Sequence, residues 1–341
     1  MSNKFYHPDI SEFCFLVTGG AGFIGSHIAE YLLKNSAKKV RVIDNLENGF
    51  QSNIEILQQY PDFEFIEGDI RNFDFCYQAC HGIDYISHQA ALGSVPRSID
   101  DPLTSNEVNI TGTLNVFTAG KEKKVKKIVY AASSSTYGDH PGLPKVEHEI
   151  GKPLSPYAVT KYANELYADV FGHVYNMEFI GLRYFNVFGP KQNPKGPYAA
   201  VIPLFTESLL NQLPPVINGD GMTSRDFTYV ANVVQANILS LFTKNSKAVN
   251  QVYNIGYGQQ TSLLQLVQYL REILGVNVDP IHIPERSGDV KHSLADISKA
   301  KTLLGYDPAV SVEEGLRKTC EWYKLKNERS KTKSVNQESN I

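Results

Sequence analysis

Tyr157 and Lys161 stand four residues apart in the string Ser155-Pro156-Tyr157-Ala158-Val159-Thr160-Lys161. With Pro156 as the first helical residue after a Ser155 cap, this spacing puts the phenol and the ammonium on one helix face. An unperturbed tyrosine ionises at about pH 10. A neighbouring ammonium, or the positive ring of a nicotinamide, favours phenolate and lowers that value, which suits Tyr157 to act as general base toward an alcohol. Upstream, Ser133-Ser134-Ser135-Thr136-Tyr137-Gly138 offers hydroxyls that can share the same proton or steady a carbonyl. A Tyr/Lys pair alone is ordinary helix surface, so its meaning rests on what precedes it.

What precedes it is Gly19-Gly20-Ala21-Gly22-Phe23-Ile24-Gly25, lying between an apolar run and an amphipathic one. In the spacing Gly19-x-x-Gly22-x-x-Gly25 the first glycine permits a tight turn. The second lets backbone approach a pyrophosphate, and the third allows close helix–strand packing. The helix that follows presents free N–H groups and a positive dipole end to phosphates. Asp44 closes the next strand at the distance where a carboxylate hydrogen-bonds the adenosine ribose, and it repels a 2′-phosphate, so NAD is expected over NADP. Asp69, just after Gly68, reads as a wall of the adenine pocket.

The elements that must position these groups are legible as an alternation. Strand-like runs at Phe13–Thr18, Lys39–Asp44, Phe63–Ile66, Asp84–His88 and Lys127–Ala132 are separated by amphipathic stretches such as Ile24–Lys34 and Ile110–Lys123. This predicts an α/β protein, a Rossmann-type doubly wound parallel sheet whose ligands meet the carboxyl ends of the strands. After about residue 186 the pattern loosens through Pro190, Asn193, Pro194, Gly196 and Pro197, then Pro214-Pro215 and Asn218-Gly219-Asp220-Gly221. Tyr229–Leu241 and Val252–Ile255 read as a helix and a strand returning to the sheet. The expected organisation is an NAD-binding domain of residues 1–186 plus about 229–255. A smaller, discontinuous α/β nucleotide-sugar domain would take about 187–228 plus 256–325, and the polar residues from 326 onward read as a flexible tail.

Composition removes other classes. A 341-residue chain with 42% hydrophobic residues can build a packed core, which excludes wholesale disorder. A net charge of −3 without a basic stripe argues against nucleic-acid binding. No apolar run spans a bilayer, and Met1 to Glu12 lack the basic and apolar regions of a signal peptide, so no membrane partner is expected. Cys14, Cys76, Cys80 and Cys320 form no CxxC pair, which points to a reducing, cytoplasmic setting. Cys76, Cys80 and His81 read as helix surface and core; no metal site is expected.

Together, the glycine triplet, the serine run, Tyr157-x-x-x-Lys161 and Arg183-Tyr184-Phe185-Asn186 resemble the extended short-chain dehydrogenase/reductases across about residues 13–325. The resemblance implies tightly held NAD and a nucleotide-sugar substrate. It assigns the cofactor to Gly19, Gly22, Phe23, Ile24, Gly25, Asp44, Asn45, Asn48, Gly49, Asp69, Ile70, Gln89, Ala90, Ala91, Asn109, Tyr157, Lys161, Tyr184 and Val187. It assigns catalysis to Ser133, Ser134, Tyr157 and Lys161. Family dehydratases carry an Asp-Glu pair after the catalytic Thr, and decarboxylases usually keep the Glu. Ser134 and Ser135 stand there instead, which leaves C4 epimerisation through a transient 4-keto sugar. A dehydrogenase or decarboxylase of the family and a non-catalytic nucleotide-sugar sensor remain the competing readings, and the retained Tyr/Lys pair speaks against the sensor.

The string Ala91-Leu92-Gly93-Ser94-Val95-Pro96-Arg97-Ser98, with Asp139-His140-Pro141-Gly142, is similar to UDP-N-acetylglucosamine 4-epimerases of bacterial surface-polysaccharide pathways. This implies interconversion of UDP-GlcNAc and UDP-GalNAc, or of their uronic acids. Arg225 and Arg286 are guanidinium candidates for the substrate pyrophosphate. The resemblance adds Asp289 for the ribose, Asn186 for a phosphate, Asn218 with Tyr198, Ala200 and Val201 for the uridine side, and Ser94, Arg97, Ser133 and Ser135 near the sugar. Ser293 falls where members confined to UDP-glucose and UDP-galactose carry a bulky Tyr, leaving room for an N-acetyl group. A homodimer through helices near Ile110–Lys123 and Ser155–Tyr175 is implied as well.

Overall fold

The computed structural model describes residues 9–194, 199–285 and 291–338, with side chains through Glu328. The first half alternates as expected: β1 (Cys14–Thr18), α1 (Phe23–Lys34), β2 (Lys39–Asp44), α2 (Gln51–Leu57), β3 (Phe63–Glu67), α3 (Phe73–Ala79) and β4 (Tyr85–His88). Next come α4 (Val95–Asp100), α5 (Pro102–Asn106), a π-helical turn at Glu107–Gly112, α6 (Thr113–Glu122), β5 (Lys127–Ser133), a 3-10 turn at Ser134–Tyr137, α7 (Pro156–Tyr175) and β6 (Glu178–Tyr184). The chain then passes through β7 (Val187–Phe188), α8 (Val201–Leu210), β8 (Val216–Asn218), β9 (Ser224–Arg225) and β10 (Thr228–Tyr229). It returns by α9 (Val230–Phe242) to β11 (Gln251–Ile255), and finishes with β12 (Thr261–Ser262), α10 (Leu263–Leu274), β13 (Ile281–Ile283), α11 (Ser298–Leu304) and α12 (Val312–Glu338).

Seven strands form one sheet in the order β11-β6-β5-β4-β1-β2-β3, every pair parallel. Alternation within β1 divides the core: Phe15 and Val17 face a cluster with Ile28 and Val233, whereas Leu16 faces one with Ile86, Phe117 and Phe179. The chain runs outward from β1 to β3, then resumes at β4 on the other side of β1. That reversal opens a crevice at the carboxyl ends of β1 and β4, the usual ligand position in such sheets. The second half is assembled from short pairings, β7 with β10, β8 with β13 and β9 with β12, over a separate core of Phe188, Phe205, Phe227, Leu266 and Leu316.

The helix and strand expected at Tyr229–Leu241 and Val252–Ile255 are α9 and β11, and β11 pairs with β6. One feature was not signalled in the sequence: β6 is a full strand, although Gly181 interrupts its apolar run; a Cβ there would lie 2.5 Å from the Tyr130 hydroxyl, so the glycine makes room for that ring. Residues 326–338 form the last turns of α12. Its Glu- and Lys-rich composition is polar but also helix-favouring. Among the described residues no helix is long and apolar enough to cross a membrane.

Candidate active site

The loop after β1 is shaped by its glycines. Gly19 holds φ +66°, and a Cβ on it would lie 2.7 Å from the Ala90 backbone. A Cβ on Gly25 would sit 2.3 Å from the Gly19 carbonyl oxygen, so only glycine lets α1 start this close to the turn. Gly22 caps α1 without any side-chain acceptor, which leaves first-turn N–H groups available. Asp44 Oδ2 accepts the Ala21 N–H at 3.0 Å and Oδ1 accepts that of Leu46 at 2.9 Å, tying the end of β2 to this loop. On the opposite wall, Thr18 Oγ1 accepts N–H groups of Gln89 and Ala90, both at 3.2 Å, and bonds His88 Nδ1 at 2.7 Å. Below, the Tyr184 hydroxyl donates to Gln89 Oε1 at 3.1 Å and accepts from Asn237 Nδ2 at 2.8 Å.

These walls enclose a cavity of about 390 Å³, within the size range of cofactor pockets. Every residue assigned above to the cofactor lines it except Asn109. The glycine turn, the open helix terminus and the Asp44 and Asp69 carboxylates suit a dinucleotide. Asp69 is held by Arg71 Nη2 at 2.6 Å and Asn45 Nδ2 at 3.1 Å, and these bonds keep its carboxyl below the usual range. Asn109 is fully buried behind the wall. Its Oδ1 accepts the Leu92 N–H at 2.8 Å, while its Nδ2 donates to the Leu92 carbonyl at 3.2 Å and Thr160 Oγ1 at 3.1 Å. It pins the cavity to α7 instead of facing the cavity. Glu47, Leu92, Val108, Ala131 and Ala132 also line the cavity, unsignalled in sequence because Glu47 is an ordinary charged loop residue and the others are apolar residues with no distinctive pattern.

Tyr157, Lys161 and Ser133 converge on the same cavity. Ser155 caps α7 by accepting the Ala158 N–H at 3.2 Å, with Pro156 in the first turn, and Ser98 Oγ accepts the Tyr157 N–H at 3.0 Å. Ser133 is the neighbour that pulls the pKa of the Tyr157 phenol down, against burial. Ser133 Oγ also accepts the Ser135 hydroxyl at 2.8 Å and the Ser135 N–H at 3.1 Å, so Ser135 supports Ser133. Ser134 does not line the cavity. Lys161 donates to the Ala131 carbonyl at 2.9 Å, its Nζ 6.0 Å from the Tyr157 ring centroid. Burial, partly opposed by the Glu165 charge, lowers its pKa to about 8. In the chain by itself the Tyr157 phenol lies above its ordinary pKa, because burial outweighs the Ser133 contribution, and Lys161 spends its hydrogen bond on a main-chain carbonyl.

The substrate assignments are less gathered. Asn186 lines the cavity at φ +33°. Arg225 Nη1 donates to the carbonyls of Ser224 at 3.0 Å and Lys291 at 3.1 Å, and the Ser293 N–H donates to the Ser224 carbonyl at 3.1 Å. Arg225 and the half-buried Ser293 therefore belong to one patch. Asn218 ends β8, and Ala200 and Val201 begin α8, away from the cavity lining. Ser94 caps α4 by accepting the Arg97 N–H at 3.2 Å. Arg97 Nη2 donates to Asn48 Oδ1 at 2.9 Å, so this side chain reaches the cofactor wall. Tyr198, Arg286 and Asp289 lie outside the described residues. Burial pushes the Cys76 and Cys80 thiols up to about 12, and among the described residues no cluster of metal-ligating side chains occurs.

The sequence matches the NAD dependent epimerase/dehydratase family over residues 15–256. A solved UDP-N-acetylglucosamine 4-epimerase from Methanobrevibacter ruminantium M1, in complex with UDP-N-acetylmuramic acid, is 40% identical with a TM-score of 0.87, covering 92% of this chain and 99% of that one. A UDP-glucuronic acid 4-epimerase from Bacillus cereus, solved with UDP-glucuronic acid and NAD, is 35% identical with a TM-score of 0.84, covering 92% and 99%. The UDP-glucose 4-epimerase of Mycolicibacterium smegmatis is 35% identical over 315 residues, again 92% of this chain and 99% of the relative.

Proposed function

The chain belongs to the NAD dependent epimerase/dehydratase family and is a nucleotide-sugar 4-epimerase, and from that premise we propose that it interconverts UDP-GlcNAc and UDP-GalNAc. When bound, NAD supplies the acceptor of the C4 hydride and then its donor. Ser133 lines the cavity with the Tyr157 phenol, partly opposes the upward push of burial on it, and would pass the O4 proton to it. Lys161, tied to the Ala131 carbonyl, brings a donor to the same wall. The 4-keto sugar, anchored through its diphosphate by Arg225, turns its other face toward the cavity. Tyr157 then returns the proton, and C4 is inverted.

The feature that carries the choice of sugar is Ser293. Its main chain is fixed beside Arg225 by the bond to Ser224, and its side chain is smaller by a phenol ring than the Tyr that would close this position. The 35% identity to a UDP-glucuronic acid 4-epimerase makes the uronates the second reading. Incubating the purified protein with UDP-GlcNAc, UDP-glucose, UDP-glucuronate and UDP-galactose, followed by chromatography, tests both. UDP-GalNAc from UDP-GlcNAc is expected. Epimerisation of UDP-glucuronate alone would transfer the assignment, and accumulation of NADH absorbance with a keto product would make the protein a dehydrogenase.

For assembly, α7 carries Val159, Leu166, Val170 and Val174 along one outward face, each half exposed or more. A second copy of the chain covers this stripe in our reading. A Val170→Glu variant running as a monomer where the wild type elutes as a dimer is the expected result. Four free cysteines fit a cytoplasmic enzyme.

A further inference from the structure

Asp226 adjoins Arg225, is fully buried, and takes no part in the mechanism above. Its carboxylate collects three main-chain donors: Oδ1 accepts the Tyr257 N–H at 2.8 Å, and Oδ2 accepts those of Gly258 at 3.0 Å and Ala295 at 3.1 Å. Tyr257 and Gly258 follow β11, the edge strand of the large sheet, and Ala295 lies two residues beyond Ser293. The Asp226 carbonyl accepts the Asn186 side-chain amide at 3.3 Å, and Asn186 lines the cavity. The site is tight, since a Cβ on Gly256 would lie 2.6 Å from Asp226 Oδ2 and 2.7 Å from the Ala295 Cβ. Among the described residues no cation forms an ion pair with this carboxylate.

Burying an unpaired carboxylate is expensive, and an apolar side chain would fill the space at lower cost. What a carboxylate alone provides is two oxygens that only accept, enough for N–H groups arriving from three directions. We propose that Asp226 is a positioning residue for the nucleotide sugar, fixing Arg225 and Ser293 to the edge of the sheet so that the diphosphate and sugar ends are held at a set distance from Tyr157. This rests on the reading above that Arg225 and Ser293 face the substrate.

Asp226→Asn keeps the volume but turns one acceptor into a donor that opposes a main-chain N–H. The KM for the nucleotide sugar should rise about tenfold, the size of one lost charge-assisted hydrogen bond, while kcat changes less than about threefold. Bound NAD content should stay near the wild-type value, and Tm should fall while unfolding remains a single cooperative transition. Gly256→Ala, which displaces the carboxylate without removing it, should raise KM in the same way, and combining the two should add little. It also carries the test if the Asn variant does not fold. An unchanged KM in both folded variants, or a loss confined to kcat, overturns the proposal. Calorimetric titration with UDP separates the two ideas. If the wild type epimerises no UDP-sugar, the proposed function fails, whereas weaker UDP binding by both variants still supports the positioning role and equal binding refutes it.

Discussion

The two halves of the molecule solve the same problem differently. On the dinucleotide side seven parallel strands converge on one crevice, and the groups behind it are already bonded: Thr18 to His88, Tyr184 to Gln89 and Asn237, Asn109 to Leu92. On the substrate side the pairings are two or three residues long, β13 is exposed along its length, and Arg225 and Ser293 lie outside the cavity lining. A cofactor held through every turnover suits a preformed site, whereas a substrate that must turn over within the site suits walls built from short pairings.

The comparison can be broken first at Ser293. Ser293→Tyr fills the space beside the sugar and should abolish turnover of the N-acetylated substrates while sparing residual activity on UDP-glucose. A variant that epimerises UDP-GlcNAc near the wild-type rate would show that this wall does not set sugar size. On the opposite wall, Tyr157→Phe should lower kcat about 10²–10⁴-fold with NAD content unchanged, as expected for loss of a general base. Retained activity would move the proton-transfer role to Ser133 or Lys161.

Acid should act on the halves with opposite sign. Burial lowers His88 to about 3 and His27 to about 4, below the unfolded value near 6.5, so the stability they contribute is present above 6.5 and is lost progressively as pH falls from there through about 4 and about 3. Burial raises Asp226 from 3.8 to about 6, so its contribution is present below the unfolded value and is lost as pH rises through about 6. Each group can impose a slope of up to about 1.4 kcal/mol per pH unit. Hydrogen exchange at pH 4 and pH 7 should show β1 and β4 amides less protected in acid, whereas the amides of β12 and α10 in the other half should hold or gain protection. The same direction in both regions would break the contrast. The smallest effect is a matched truncation. Ile86→Val, at a fully buried position of β4, should cost about 1 kcal/mol in urea denaturation, and Ile281→Val, on exposed β13, less than about 0.5 kcal/mol.

The same contrast explains what was legible in the chain. Parallel strands, their glycine turns and the Tyr157/Lys161 helix announce themselves over a few consecutive residues, so most of the large sheet and nearly the whole cofactor lining could be read. Asp226 could not, because its three donors lie 31 to 69 residues away and none differs in type from an ordinary loop residue. Arg97 could be recognised as a cation beside the site, but not its choice of Asn48, which depends on where loop 45–49 packs. The two-residue strands offer too few side chains for any periodicity.

β11 closes the sheet beside β6, and the chain makes its entire first excursion into the other half between them. During synthesis β6 therefore emerges as the outermost strand, with its last six residues destined for burial and its partner still more than sixty residues from being made. At typical elongation rates of about 5–20 residues per second that edge stays open for several seconds, presenting apolar side chains and unpaired main-chain groups to other nascent chains. Ribosome-bound chains long enough for β6 to have cleared the exit tunnel but ending before residue 251 should recruit holdase chaperones, and chains extended far enough past residue 255 for β11 to clear it should release them.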